Sequence, residues 1–156
     1  EAAAVPIGQL LAKADPAKGQ AAFKACQACH SIEKGGPNKV GPDLWGVVGR
    51  PIASHEGFAY SDALKAKSGD TWTFENINHF VHAPKSFAPG TKMTYAGVRK
   101  DDVRADLLAY LNSQSDSPLP LPAADAQPAP AEGQQQGEQP APAEGQSEQP
   151  AQQPQQ

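Results

Sequence analysis

The sequence predicts a small all-α domain with long loops, followed by a low-complexity tail. Three observations lead there. Apolar residues recur at helical spacing near 22–26, 74–81 and 103–111, with capping residues in front of the first of these segments. No run alternates as a half-buried strand does. From Asp116 onward the chain holds no Lys, Arg, aromatic residue or Cys.

Residues 1–14 read as an N-terminal extension or linker, with Ile7, Leu10 and Leu11 as its large apolar residues. The domain proper is expected over 15–115. Asp15 is a good N-cap, Pro16 suits the first helical position, and Ala22, Phe23 and Cys26 fall on one face. Gly19 lies on that same side. Glycine inside a helix costs about 1 kcal/mol relative to Ala, so its presence predicts a second helix crossing very close by.

From 31 to 54 the chain is rich in Gly, Pro and charge, with Gly35-Gly36-Pro37 and Gly41-Pro42 as turns, which predicts a long loop wrapped over something. Short helices are expected at about 60–67 and 74–81, the second with Phe74, Ile77 and Val81 at i, i+3 and i+7. A last helix over about 101–112 carries Val103, Leu107, Tyr110 and Leu111 on one stripe and Asp101 and Asp102 at its positive end. Gly19 and Phe23 are expected to pack against Leu107 and Tyr110 where the first and last helices cross.

Residues 116–156 are dominated by Pro, Gln, Ala, Gly and Glu, and are expected to be disordered because they cannot bury enough apolar surface to offset the entropy of ordering. Gln127–Gln134 recurs as Gln139–Gln146, a repeat with nothing apolar to stack. Of the 17 acids, six lie in this tail, so the body sets 11 acids against all 13 Lys and Arg, a net +2 within a chain of −4. That balance excludes a nucleic-acid binder, and no apolar run reaches the roughly 20 residues of a membrane span. The chain begins at Glu1, which leaves two expectations open: a removed export segment, or a membrane tether upstream of Glu1.

The chemistry centres on Cys26-Gln27-Ala28-Cys29-His30. Two thiols at this spacing can add across the two vinyl groups of one haem, and the adjacent His can reach the iron from the same side. A thioredoxin-like redox pair needs a strand-turn-helix context that is missing here, and a zinc site needs two more ligands at paired spacing. Met93, the single methionine, sits in the polar turn Pro89-Gly90-Thr91-Lys92-Met93, an odd place for a residue used only in packing. A thioether would raise the reduction potential and close the iron to outside ligands.

These motifs, with Gly19, Phe23, Gly41-Pro42-Asp43-Leu44, Gly49-Arg50, 57–63, Thr71-Trp72, Pro84-Lys85 and Ala109-Tyr110-Leu111, run in order over some 90 residues and resemble class I cytochrome c. The resemblance implies a small fold of helices wrapped around one covalently bound haem c. It implies His30 and Met93 as the iron ligands, and a Pro42 carbonyl that accepts a hydrogen bond from the other His30 nitrogen. Arg50, Tyr60, Trp72 and Thr91 are implied as partners of the haem propionates. Phe80 and Leu64 depart from the mitochondrial pattern, which has a tyrosine and a polar residue there. His79 and His82 compete with Met93 for the iron only on paper, since both lie off the apolar face of their helix. His55, in a loop, is expected to do nothing to the iron.

The resemblance further implies a monomeric single-electron carrier, not an enzyme, located in a bacterial periplasm. It would pass electrons from a cytochrome bc complex to a terminal oxidase or similar acceptor in a respiratory or photosynthetic chain. Lys39, Lys85, Lys92, Arg99 and Lys100 are implied as docking residues around the haem edge. Deleting 117–156 is expected to leave the haem spectrum and the stability unchanged.

Overall fold

A computed structural model describes residues 5–124. In chain order the helices are α1 (Ile7–Leu11), α2 (Pro16–Phe23), α3 (Asp62–Lys65), α4 (Phe74–His82), α5 (Pro84–Phe87) and α6 (Asp101–Ser113). No strand occurs among the described residues, only an isolated antiparallel bridge between Pro51 and Thr71.

Local chemistry sets the helix starts. The Asp15 side chain accepts the Ala17 N–H and Pro16 follows it; the Ser61 hydroxyl accepts from Leu64 N–H, and the Thr73 hydroxyl from Asn76 N–H. α4 stops at Ala83 because Pro84 follows, and α5 then starts on that proline.

The crossing of α2 with α6 organises the core. A side chain at Gly19 would overlap the Asp106 carbonyl and come within 2.7 Å of Tyr110 Cβ, so the two backbones approach as only glycine permits. Phe23 and Tyr110 pack with ring centroids 5.6 Å apart, and the Asp106 carboxylate accepts the Asp15 N–H at 2.7 Å. The expected crossing is therefore present. Between α2 and α3 the chain is irregular, as anticipated.

Three expectations need correction. Within the segment read as an N-terminal extension, Ile7–Leu11 is a helix whose Ile7 and Leu11 are buried in the core, because their side chains find an apolar face on α6. The buried stripe of α6 includes Arg104 and Leu108, while Val103 is only half-buried. The first residues of the expected disordered tail, up to Ala124, lie back on the domain: Leu119 covers Gly49, and the Ala123 carbonyl sits where a Gly8 side chain would be. The rest of the tail reading, with its repeat, falls outside the described residues.

Candidate haem site

The segment Cys26–His30 continues from α2 through turns, with His30 N–H donating to the Cys26 carbonyl at 2.9 Å. No disulfide joins the two cysteines; Cys26 is half-buried and Cys29 exposed. Burial, and then the neighbouring Cys29, push the Cys26 thiol up from its ordinary value.

The next loop fixes the imidazole. His30 Nδ1 donates to the Pro42 carbonyl at 2.7 Å; since that oxygen can only accept, the ring proton is on Nδ1 and the lone pair is on Nε2. Gly41 lies flat on the ring, where any side chain would overlap Cε1, and its N–H donates to the Cys29 carbonyl at 2.8 Å. Burial lowers the His30 pKa; the Pro42 bond works against this, and Arg50 adds to it. The ring is thus held neutral with its metal-binding nitrogen free.

A cavity of about 260 Å³ opens beside this segment, lined by Cys26, Cys29, His30, Pro42, Arg50, Tyr60, Trp72, Thr91 and Met93 among others. One water needs roughly 10–15 Å³, so the space is on the scale of a cofactor. All nine predicted site residues share this one cavity, although they come from six separate stretches of chain. Leu64 and Phe80 also line it, so the two departures make its wall apolar there. Phe80 packs on Trp72 with ring centroids 5.2 Å apart, and Phe87 completes the cluster.

The short pairing at 49–52 with 70–72 brings Arg50 beside Trp72: Trp72 N–H donates to the Arg50 carbonyl at 2.8 Å, and Gly49 N–H to the Trp72 carbonyl at 2.8 Å. Arg50 Nη2 and Nη1 donate to the Asp43 and Trp45 carbonyls. Its Nε–H is buried without a partner, and no acid forms an ion pair with it among the described residues. Burial lowers its pKa, offset in part by Tyr60 and Asp43. A half-buried guanidinium with one buried, unused donor is suited to an anion.

The Met93 turn is held at both ends. The Thr91 hydroxyl accepts from Met93 N–H at 3.2 Å, and Lys92 Nζ donates to the Ala59 carbonyl at 2.7 Å. Farther along, the buried Arg104 donates to the Val98 and Arg99 carbonyls, to Asn78 and to Asp101. Sequence reasoning missed Arg104, yet 104, 107, 108 and 111 stand at i, i+3, i+4 and i+7, which places it on the buried stripe.

His79 and His82 are both exposed and neither lines the cavity; His79 instead pairs with Glu75 at 3.0 Å. Lys39, Lys85, Lys92, Arg99 and Lys100 are all exposed. Lys39 donates to the Gln27 carbonyl at 3.1 Å, and Lys85 and Arg99 share a second pocket with Tyr95. No group of three or more potential His, Cys, Asp or Glu ligands gathers into a metal site among the described residues. No helix there is long and apolar enough to cross a membrane.

A helical domain whose main cavity carries two cysteines and a neutral, oriented histidine on one wall is a c-type haem protein. A family profile described as "Cytochrome c" matches residues 16–115, and the chain belongs to the cytochrome c family. It is 55% identical over 124 residues to a cytochrome c homolog of Bradyrhizobium diazoefficiens, a match covering 79% of this chain and 67% of that one. It is 45% identical over 109 residues to a cytochrome c homolog of Rickettsia prowazekii, covering 70% and 62%. It thus spans about two thirds of the length of these relatives. Among solved structures, cytochrome cH from Methylobacterium extorquens is 44% identical with a TM-score of 0.58, covering 64% of this chain and 98% of that one.

Members of this family are electron carriers with redox proteins as partners, and bacterial members are typically periplasmic. Their cofactor is one haem c bound through two thioethers, and Cys26 and Cys29 are the two cysteines of this chain. The residues fit that group: His30 offers a lone pair, Arg50 an unused buried donor, and the remaining wall is mainly apolar.

Proposed function

We propose that this chain is a periplasmic single-electron shuttle, with His30 and Met93 as iron ligands, accepting from a cytochrome bc complex and delivering to a terminal oxidase or similar acceptor. The haem supplies one-electron chemistry between ferric and ferrous iron. The observation that carries the reading is that His30 and Met93, from separate loops, line the same cavity. A soft, neutral thioether favours the reduced iron and leaves no open position for a substrate, which is why a carrier is favoured over an enzyme.

Cys26 and Cys29 anchor the group, and Pro42 keeps His30 Nδ1 protonated. Arg50, Tyr60, Trp72 and Thr91 are the residues that meet the propionates. Docking would use Lys39, Lys85, Lys92, Arg99 and Lys100, with the protein acting as a monomer. Lys39 and Lys92 already donate to carbonyls, so part of their charge serves to hold the loops around the cavity. Carbon monoxide added to the reduced holoprotein tests the closed iron. Slow or negligible binding is expected for the wild type and rapid binding for Met93→Ala; rapid stoichiometric binding to the wild type at neutral pH refutes the reading. Electron transfer with a reductase and an oxidase should slow as salt rises.

A further inference from the structure

His55 belongs to none of the motifs that mark the site, yet it touches two of its residues. Its Nδ1 lies 3.3 Å from Arg50 Nη1, and its backbone N–H donates to the Tyr60 hydroxyl oxygen at 3.1 Å. A guanidinium only donates, so Nδ1 is the acceptor and the neutral ring carries its proton on Nε2. Arg50's other protein partners are backbone carbonyls, which leaves His55 as the one side chain that holds the guanidinium among the described residues. The contact exists for the neutral ring alone. An imidazolium has no lone pair at Nδ1 and sets a second positive charge beside Arg50.

We infer that His55 is a positioning residue for Arg50 and couples the protonation of its own ring to the reduction potential of the haem. This rests on the reading that Arg50 and Tyr60 face the haem propionates. The neutral ring accepts a hydrogen bond from Nη1, while the Nε–H has no protein partner and Arg50 lines the cavity. Protonation adds positive charge close to the cofactor, which favours the less positive ferrous iron. The potential is therefore higher in acid and falls as the ring loses its proton; by linkage, the reduced protein binds that proton more tightly than the oxidised one.

Among the described residues, the charged or titratable side chains hydrogen-bonded to His55 are Arg50 and Tyr60. The Asp43 carbonyl accepts from the same guanidinium, and the adjacent Glu56 is exposed. Of these residue types, imidazole is the one whose charge ordinarily changes between about pH 5 and 8.

The test is the reduction potential of full-length holoprotein between pH 5 and 8, measured by spectroelectrochemistry for the wild type, His55→Gln, His55→Leu and Arg50→Leu. The wild-type potential is expected to fall through one step as pH rises. His55→Gln should lose that step and keep the alkaline potential, because the Gln carbonyl still accepts from Arg50. His55→Leu should lose the step and shift the alkaline potential too. A step that survives in His55→Gln belongs to the haem propionates and overturns the inference, as does an unchanged alkaline potential in His55→Leu. Arg50→Leu separates the two levels. No shift there refutes the propionate reading itself, while a shift there with silent His55 variants refutes only the coupling.

Discussion

The side-chain amide of Asn112 pairs with both backbone polar groups of Leu119: its Nδ2 donates to the carbonyl and its Oδ1 accepts the N–H, each at 2.9 Å. A buried residue at the end of α6 thereby holds the chain that leaves the helix. Farther along, that chain covers Gly49 with Leu119 and reaches α1 at Gly8. Gly46 N–H adds a bond to the Gln114 carbonyl at 2.8 Å. Residues 116–124 and α1, both outside the family match at 16–115, thus meet across the domain.

Ending the chain after Ser115 should lower stability and loosen α1, read as faster amide hydrogen exchange over 7–11, while the visible spectrum stays the same because no residue of α1 or 116–124 lines the haem cavity. Ending it after Ala124 keeps every one of these contacts, so the difference between the two truncations measures the strap. Asn112→Ala should cost about 1–2 kcal/mol in denaturant unfolding. The sequence-based expectation that 117–156 is dispensable for stability therefore changes for its first eight residues.

The strap has a pH dependence of known sign. Lys34 lies 2.9 Å from the Asp116 carboxylate and holds it below its ordinary value, mainly through the side-chain hydrogen bond. A group whose pKa is depressed on folding stabilises the fold above its unfolded pKa, and the contribution disappears as pH falls through the folded value. The stability difference between wild type and Asp116→Asn should be present near neutrality and be lost as pH falls below the ordinary carboxylate range. Both groups are exposed, so added salt should shrink it as well.

Gly19→Ala should destabilise by about 1–3 kcal/mol, and Gly19→Val by more, because the added carbon forces α2 off the Asp106 carbonyl. An isolated helix would gain from the alanine substitution. A denaturation midpoint that rises in Gly19→Ala would contradict the close crossing.

Arg104→Leu should lower stability by about 2–4 kcal/mol, since the Val98 and Arg99 carbonyls lose their donor along with Asn78. Because these contacts pin the segment that follows Met93, the variant should also bind carbon monoxide faster when reduced. Arg104→Lys restores charge but not the fork of donors, so it should recover only part of either property.

Much of the site was legible because its chemistry is contiguous or ordered along the chain. Cys26, Cys29 and His30 lie in five residues, Pro42 and Met93 stand in recognisable turns, and Gly19 announced a close crossing by being a poor helix residue in a helix. Periodicity placed α4 and α6 to within a residue or two, and capping residues placed the start of α2, which ends at Phe23, short of the Cys26 that helical spacing puts on its face.

What periodicity could not supply was the partner of each surface. Ile7 and Leu11 make too short a pattern to signal burial until α6 offers them a face; Arg104 and Asn112 look like solvated helix residues until a loop brings carbonyls to them. His55 is the sharpest case. Its five-residue separation from Arg50 and Tyr60 is visible in the sequence, but only the folded loop turns Nδ1 towards one and the backbone N–H towards the other. The sequence by itself determined the cofactor, the family and the longer helices α2, α4 and α6, because those depend on local spacing. The tertiary structure decided which polar groups are buried together, because that depends on residues distant in the chain meeting at hydrogen-bond range.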